Sequence, residues 1–495
     1  MSDELDKKSY KQSLKATSLF GGVQIYNIVI GIVRSKFVAI FLGPAGMGIT
    51  GLLSSTTGII NALTNMGLST SAVRDISVAN KGGDIERISK VVRVFRTLVW
   101  ATGLIGTLIC LALSPLLSHI TFGNYDYTVA FIILSVTLLF TQLTSGQNTL
   151  LQGMQQYAFM AKSNVIGSTI GLFITVPLYY FWRVDAIVPV LVITSVVSLS
   201  LSYYFSRKVK IRRVHIEKKD LFVEGRIMIR MGFFIGIQGI LSLIAAYGIR
   251  IFIRHFGGVA DVGLYSAGFT IVNTYVGLIF SAMATDYYPR LSALSADEIG
   301  FRKAINQQME ISLLLSAPVV ASFIIFIKPV ITLLYSSKFI PIEGMIYWAI
   351  FATFFKATSW SLGFSFLAKG DTKAFMWNEL CSTIYTLFLN LTCYYWMGLT
   401  GLGLSLFASY LIYFIQVLVI CGRRYGFNVN GKVYRIFIPQ FLISCVCILL
   451  VLISPMIIRY IVGGLLVLIS FLHSYRELDR RIEIGKLIKY KLFKR

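Results

Sequence analysis

The chain has 495 residues, of which 56% are hydrophobic and only 14% are charged, and its formal net charge is +24. A water-soluble domain cannot bury so large a share of apolar side chains, whereas a bilayer accepts them. The composition therefore excludes a soluble globular protein and predicts an all-α polytopic membrane protein.

Apolar segments follow one another from end to end. Hydropathy in windows of about 19 residues predicts fourteen spans, each close to the roughly 20 residues that cross the hydrocarbon layer. The spans cover about 17–43, 46–68, 97–118, 127–151, 160–182, 186–206, 228–253, 262–285, 309–335, 345–368, 374–396, 400–421, 434–454 and 456–475. We interpret the polar segment 1–15 as a retained cytoplasmic tail rather than a cleaved signal peptide.

Lysine and arginine are concentrated in the N-terminal tail, in alternate loops and in the C-terminal tail. By the positive-inside rule these segments face the cytoplasm, which places both termini there. The positive charge thus indicates topology and contact with membrane lipids, and no nucleic-acid partner is predicted. The six cysteines and four histidines have no metal-ligand spacing, so neither a metal nor another cofactor is predicted.

The chain contains an internal repeat at an offset of 215 residues. Gly43 corresponds to Gly258 and Gly48 to Gly263, and further matches downstream share the offset. This length holds six spans, an even number, so the two copies have the same orientation, as in transporters built from parallel repeats. Each glycine-rich segment is interpreted as a tight reversal between spans, with use as a hinge as the alternative.

The repeat divides the chain into five parts. They are an N-lobe with spans 1–6 at 1–206, a basic cytoplasmic linker at 207–227, a C-lobe with spans 7–12 at 228–421, two additional spans at 422–475 and a basic cytoplasmic tail at 476–495. A substrate site is expected between the two repeats, near the middle of the membrane.

Basic residues occur inside the predicted spans, whereas no carboxylate lies away from a span end. The basic positions are Arg34, Lys36, Arg250, Arg254, Lys328 and Lys356. A charge inside the membrane is costly, faces protein or water, and marks a candidate functional site. A cavity lined only by cations is suited to an anion such as a lipid diphosphate and not to a cationic drug.

Each cation also has a simpler interpretation. Arg34 and Lys36 are about 200° apart around a helix, so one is expected to face the cavity while the other snorkels. Arg250 and Arg254 share a face and either bind substrate or anchor at lipid headgroups. Lys328 is expected to be an interfacial anchor, and Lys356, near mid-span, is expected to bind substrate.

The fourth span is dense in polar residues, and Gln142 and Asn148 are its candidate cavity residues. Thr358 has the corresponding role in span 10, beside Lys356. A polar segment at the same place in both halves predicts a hydrophilic cleft. Hydrogen bonding between helices is the equally weighted alternative.

Two short motifs resemble a known family. The segment 41–48, with Gly43, Pro44, Gly46 and Gly48, resembles the Leu-Gly-Pro-x-Gly-x-Gly turn of Wzx-type polysaccharide (O-antigen) flippases, and 288–292 resembles their Pro-x-Leu-Ser element. These flippases belong to the multidrug/oligosaccharidyl-lipid/polysaccharide (MOP) exporter superfamily, with the MATE transporters and the lipid II flippase. In the family a basic residue commonly precedes the Gly-Pro turn. Lys36 matches that spacing best, and Arg34 is an additional candidate.

The resemblance implies a two-lobed, V-shaped, MATE-like transporter in the bacterial inner membrane. It would flip an undecaprenyl-diphosphate-linked oligosaccharide from the cytoplasmic to the periplasmic leaflet by alternating access. H⁺ or Na⁺ is a candidate coupling ion, and a polysaccharide polymerase is a candidate partner. The two additional spans resemble the tail groove of the lipid II flippase.

Two other function classes were weighed. A MATE-like cation-coupled multidrug exporter usually needs embedded carboxylates, which this chain lacks. A membrane enzyme such as a glycan polymerase or ligase would carry a large periplasmic loop with catalytic residues. Neither that loop nor a Walker A, Gly-x-Ser-x-Gly or His-Glu-x-x-His motif is present, so no enzyme activity is predicted.

Overall fold

The computed structural model describes residues 2–82, 84–209, 211, 214 and 218–482, with side chains described from 22 onward except at 218–220, 234, 235 and 285. Parts of the predicted basic linker, and residues 483–495 of the predicted basic tail, lie outside the described residues.

Every regular element in the described residues is a helix. The helices are α1 (Ser2–Asn65), α2 (Leu68–Gly82), α3 (Ile85–Ala112), α4 (Ser114–Phe122), α5 (Thr128–Gly153), α6 (Tyr157–Trp182), α7 (Ile187–Ser206), α8 (Lys218–Gly257), α9 (Val259–Thr270), α10 (Leu278–Ala293), α11 (Glu298–Leu334), α12 (Glu343–Phe351), α13 (Thr353–Ala368), α14 (Thr372–Tyr425), α15 (Gly431–Ile453) and α16 (Met456–Ile482). A π-helical segment, Ile271–Val276, lies between α9 and α10.

Glycine allows the longest helices to reverse direction. Gly43 in α1 has φ 64° and Gly398 in α14 has φ 58°, and only glycine adopts such angles without strain. In α14 the Glu379 carboxylate accepts from the Tyr413 hydroxyl at 2.7 Å. Glu379 precedes Gly398 in the sequence by about as many residues as Tyr413 follows it. Because the two side chains nevertheless touch, the two parts of α14 run antiparallel. The predicted turn-making role of glycine therefore holds at Gly43, and Gly398 makes a similar turn that the sequence analysis did not single out.

The number of candidate spans in the described residues is consistent with the sequence-based count. Ten helices in the described residues are long and apolar enough to cross a membrane, or eleven if the bent pair Ser337–Phe351 and Thr353–Ala368 is one span. Three of these stretches, Gly22–Asn65, Tyr157–Ser206 and Thr372–Tyr425, are long enough for two crossings each. Counting them twice is consistent with fourteen spans, and the predicted all-α polytopic membrane architecture is confirmed.

The chain divides into two compact units, Met1–Gly263 (unit 1) and Leu264–Arg495 (unit 2). Helix α8 follows the basic linker but packs within unit 1. The Tyr247 hydroxyl of α8 hydrogen-bonds the Thr121 hydroxyl at 2.8 Å. Gly232 of α8 lies so close to Gly67 that a Cβ on Gly232 would be 2.8 Å from the Gly67 carbonyl carbon. The division into lobes at 207–227 stays a prediction.

The two glycine-rich turns of the predicted repeat touch each other inside unit 1. A Cβ on Gly48 would lie 1.9 Å from the carbonyl oxygen of Val259. Likewise, a Cβ on Gly263 would lie 1.9 Å from the carbonyl oxygen of Pro44. Val259 and Gly263 follow Pro44 and Gly48 by the repeat offset of 215, so each copy makes the same contact on the other. Such a reciprocal contact is the signature of a two-fold relation.

Unit 2 is built around α11, whose side chains are largely buried, and α15 and α16 pack on it. Stacked and edge-on phenylalanine rings fill the space beside α12, α13 and α15. They are Phe351, Phe354, Phe355, Phe407, Phe437 and Phe441. Aromatic packing of this kind leaves little room for a ligand.

Candidate functional site

Three adjoining cavities lie within unit 1, with volumes of about 500, 450 and 400 Å³. Thr144 of α5 lines all three, and we name them together the Thr144 cleft. Hydroxyl and amide side chains from α1, α5, α6 and α7 make up most of the lining. Within the part of the chain that the structure describes, no acidic residue lines the cleft.

One face of α5 runs along the cleft. Five of its polar cleft-lining residues recur every three or four positions, which places them on a single face of the helix. They are Thr137, Thr141, Thr144, Asn148 and Gln152. At 1.5 Å per residue this polar face is roughly 22 Å long, a large part of the hydrocarbon thickness.

Arg34 is the one cation among the described residues that line the cleft. It lies on the part of α1 before Gly43, is half-buried, and lines two of the three cavities. Asn27, seven residues earlier and so on the same face, lines one of them with Arg34 and accepts a hydrogen bond from the Ser168 hydroxyl at 2.7 Å. The guanidinium therefore lies where α1, α6 and α7 meet the polar face of α5.

Lys36 and Gln142 have different surroundings. Lys36 is half-buried and lines none of the three cavities. Gln142 is only 1% exposed, and its amide donates to the Thr102 hydroxyl at 2.9 Å and to the Asn65 carbonyl at 3.3 Å. Gln142 thus joins α5 to α3 and α1, which is the hydrogen bonding between helices given above as the alternative for span 4. Asn148, in contrast, lines two of the cavities.

The two arginines of α8 lie outside the Thr144 cleft. The Arg254 guanidinium donates to the carbonyl oxygens of Thr121 at 3.1 Å and Ile120 at 3.0 Å, at the C-terminus of α4. A cation there offsets the negative end of the helix dipole. Arg250 is half-buried and donates to the Ala246 carbonyl of its own helix at 3.2 Å. Arg254 therefore joins α8 to α4, a contact that the sequence could not specify.

Unit 2 holds Lys356, which is half-buried on α13. Its ammonium lies 3.4 Å from the Asn273 carbonyl oxygen and 5.6 and 5.4 Å from the ring centroids of Phe280 and Tyr410. Asn273 belongs to the π-helical segment, an irregularity often found at functional sites. Lys356 is thus held by an amide and two aromatic faces, an environment suited to a cation.

The hydroxyls next to Lys356 are not exposed to a cavity. Thr358 is 1% exposed and donates to the backbone carbonyls of Phe354 at 3.3 Å and Phe355 at 3.0 Å. Ser361 and Ser365 are fully buried and also donate to their own helix. Thr358 was expected to line a cavity, but these contacts make it part of the packed interior, because the aromatic residues around α13 fill the adjacent space.

The acidic residues of unit 2 that lie near membrane helices have partners. Glu310 pairs with Arg481 at 2.7 Å, and Glu343 pairs with Arg459 at 3.1 Å. Arg459 was not singled out from the sequence, although it is a lone arginine in the last apolar span. Within the described residues, no group of three or more histidine, cysteine, aspartate or glutamate side chains could hold a metal ion.

Some cleft residues were missed in the sequence. Thr194 and Ser198 of α7 both line the cleft, one turn apart, and their hydroxyls donate to carbonyls of their own helix at 2.7 and 2.8 Å. Their spacing of four was a usable signal, but serine and threonine at that spacing are common in membrane helices.

Comparison with solved structures identifies the fold. The lipid II flippase MurJ, in an inward closed conformation, matches with a TM-score of 0.71 at 14% identity, covering 93% of this chain and 99% of that one. An inward-facing MATE family multidrug resistance transporter of the MOP superfamily matches with a TM-score of 0.67 at 15% identity, covering 81% and 94%. The expected MATE-like helical fold is confirmed.

Sequence comparison gives the family. The lipid III flippase of Escherichia coli (strain K12) is 20% identical over 414 residues, which cover 81% of this chain and 96% of that protein. These relatives are flippases and transporters, in agreement with the prediction that the chain is not an enzyme. A model of the polysaccharide biosynthesis protein family matches residues 37–343. Since this match spans more than half of the sequence, the chain belongs to the polysaccharide biosynthesis protein family.

Proposed function

We propose that the protein is a Wzx-type flippase that moves an undecaprenyl-diphosphate-linked oligosaccharide, such as an O-antigen repeat unit, across the bacterial inner membrane. The substrate passes from the cytoplasmic to the periplasmic leaflet by alternating access, and an H⁺ or Na⁺ gradient is the proposed energy source. Both termini lie in the cytoplasm in this proposal, and a polysaccharide polymerase takes the product.

The observation that carries the proposal is Arg34 in an otherwise uncharged polar cleft. A guanidinium presents a planar set of donors that matches two phosphate oxygens at once. Since no acid lines the cleft, the field there favours an anion. The family, the lipid III flippase relative and the MurJ-like fold support a lipid-linked glycan as the cargo.

The same observation disfavours the alternative of a MATE-like multidrug exporter. A cationic drug would meet Arg34 without a carboxylate to balance its charge, and like charges at short range in a poorly solvated site repel strongly. Lys356 adds a second cation in unit 2, and we propose that it also interacts with anionic parts of the substrate.

A deletion strain complemented with variants tests the proposal. Arg34→Gln keeps hydrogen-bonding capacity but removes the charge, and Lys36→Gln makes the same change two residues away, outside the described cleft. Losing a charged hydrogen bond costs about 1.5–3 kcal/mol, so Arg34→Gln is expected to reduce surface glycan about tenfold or more, while lipid-linked units accumulate. Lys36→Gln is expected to export normally.

Membrane abundance of both variants, measured by blotting, controls for failed insertion. Intact surface glycan in the deletion strain, together with accumulation of cationic dyes, would assign the protein to the multidrug exporters. Equal loss of export in both variants at normal abundance would remove the special role of Arg34.

A further inference from the structure

We propose that the polar face of α5 is a binding track for uncharged sugars, so that the Thr144 cleft selects neutral over acidic glycans. This inference rests on the proposed function and concerns the part of the substrate beyond the diphosphate.

The first observation is that two polar atoms on this face make no hydrogen bond within the part of the protein that the structure describes. The Thr144 hydroxyl and the Asn148 carbonyl oxygen are shielded from solvent and have no protein partner. Elsewhere on α5, Gln147 accepts from the Ser202 hydroxyl at 2.6 Å, and Ser135 donates to the Ile132 carbonyl at 2.7 Å. The Gln142 carbonyl oxygen is also unpaired among the described residues, but unlike the Thr144 and Asn148 oxygens it does not line the cleft. Buried polar atoms are costly when unpaired, so the two that line the cleft are placed to be satisfied by a ligand.

The second observation is the chemistry of the opposite wall. Thr194 and Ser198 use their hydroxyl protons on their own helix, so their oxygen lone pairs are available to accept. The Asn148 and Gln152 amides on α5 supply both donors and acceptors. Sugar hydroxyl and acetamido groups are donors and acceptors of the same kind. The two walls therefore complement an uncharged glycan.

The third observation is the distribution of charge. Arg34 lines the second and third cavities, whereas the first, from Ser69 to Gln152, has no charged residue in its lining. A diphosphate bound at Arg34 takes up the one cation of the cleft. A uronic or sialic acid in the remaining space would be a buried anion without a counter-charge, which is strongly unfavourable. Neutral sugars have no such cost.

The test uses the purified full-length protein in lipid nanodiscs and three probes. They are undecaprenyl diphosphate alone, undecaprenyl diphosphate carrying a neutral N-acetylhexosamine trisaccharide, and the same lipid carrying a trisaccharide that contains uronic acid. The wild type is expected to bind the neutral probe about tenfold more tightly than the lipid alone, which corresponds to a few neutral hydrogen bonds. It is expected to bind the acidic probe no better than the lipid alone.

The variants distinguish sugar binding by the polar face of α5 from diphosphate binding by Arg34. Thr141→Val, Thr144→Val and Asn148→Leu together are expected to abolish the preference for the neutral probe over the lipid alone. Arg34→Gln is expected to weaken all three probes. Ser135→Ala, on another face of α5, is the matched control, and Thr144→Ser is expected to behave as the wild type.

The outcomes are distinguishable. If the wild type binds the lipid alone but shows no preference among sugars, or prefers the acidic probe, the sugar track is wrong while the proposed function stands. If the wild type binds none of the probes, both the sugar track and the proposed function are wrong. Thermal unfolding of each variant is measured in parallel. If the triple variant does not fold, Thr144→Val alone replaces it, and this single variant is expected to lose part of the preference for the neutral probe.

Discussion

Helices α5 and α13 carry the polar segments that the sequence aligns as counterparts in the two repeats, yet the two units use them differently. On α5 a row of threonine and amide side chains faces open space beside Arg34, and two of the polar atoms there have no protein partner. On α13 the hydroxyls are buried and bonded to their own helix, surrounded by phenylalanine rings.

The charges follow the same division. In unit 1 Arg34 lines a cleft without acids, whereas in unit 2 Arg459 and Arg481 are paired with Glu343 and Glu310. A polar helix in a membrane can therefore line a cavity, as α5 does, or pack within the protein interior, as α13 does. Only the neighbouring helices decide which one applies.

The largest expected effect comes from placing a carboxylate on each helix. Ser361→Glu buries a charge in a site that is 0% exposed and filled by its neighbours, and an unpaired buried charge costs several kcal/mol. We expect no folded protein, measured as loss of the monodisperse peak in detergent. Folding at wild-type yield would show that α13 borders open space as α5 does.

Thr144→Glu makes the corresponding change on α5, with a different expected result. Thr144 lines two cavities together with Arg34, whose charge can balance the new carboxylate, so the protein is expected to insert and fold. It would, however, neutralise the field of Arg34 and repel a diphosphate, and export is expected to fall at least about tenfold. Surface glycan, normalised to membrane abundance, is the measurement. Export at the wild-type level would place the substrate elsewhere.

Removing single hydroxyls gives a smaller but sharper contrast. Thr358→Val deletes a hydroxyl bonded to the backbone and is expected to lower the free energy of unfolding by about 0.5–1 kcal/mol. Thr144→Val deletes a shielded hydroxyl that has no protein partner, so stability is expected to stay unchanged or rise. Thermal melting of the two purified variants in the same detergent measures the difference. A larger loss for Thr144→Val than for Thr358→Val would contradict the comparison.

The smallest effect concerns the paired charges at the end of α16. The Arg481 hydrogen bond holds the pKa of Glu477 below its ordinary value. A carboxylate with a lowered folded-state pKa adds stability that is present above its unfolded pKa of about 4.3 and is lost as the pH falls through the folded value. Glu477→Gln is expected to flatten the slope of melting temperature below about pH 4.3 slightly. Arg34→Gln, which breaks no ion pair, is expected to leave that slope unchanged.

The sequence predicted the features that depend on composition and backbone chemistry. Long apolar runs predict the helices, and Gly43 marks the reversal in α1 because a positive φ needs glycine. The repeat offset made Gly48 equivalent to Gly263, whereas the contact of Gly48 with Val259 is known only from the structure. The predicted features need no knowledge of which helices are neighbours.

The orientation of individual polar side chains was beyond the sequence. Gln142 and Thr144 lie two residues apart on one helix, but Gln142 meets Thr102 and Asn65 while Thr144 meets the cleft. The role of Arg254 likewise depends on the end of α4 lying against α8. Tertiary packing determines these contacts, and the spacing of residues along the chain does not predict it.

The placement of α8 within unit 1 has a consequence for biogenesis. Helix α8 and Gly263 come after the basic linker, yet they supply the contacts to Gly67, Pro44 and the end of α4. A nascent chain that has left the ribosome only as far as the linker thus carries these surfaces uncovered. Unit 1 is completed only after more than half of the polypeptide has been translated. Its earlier helices are therefore in the bilayer before α8 is available to pack against them.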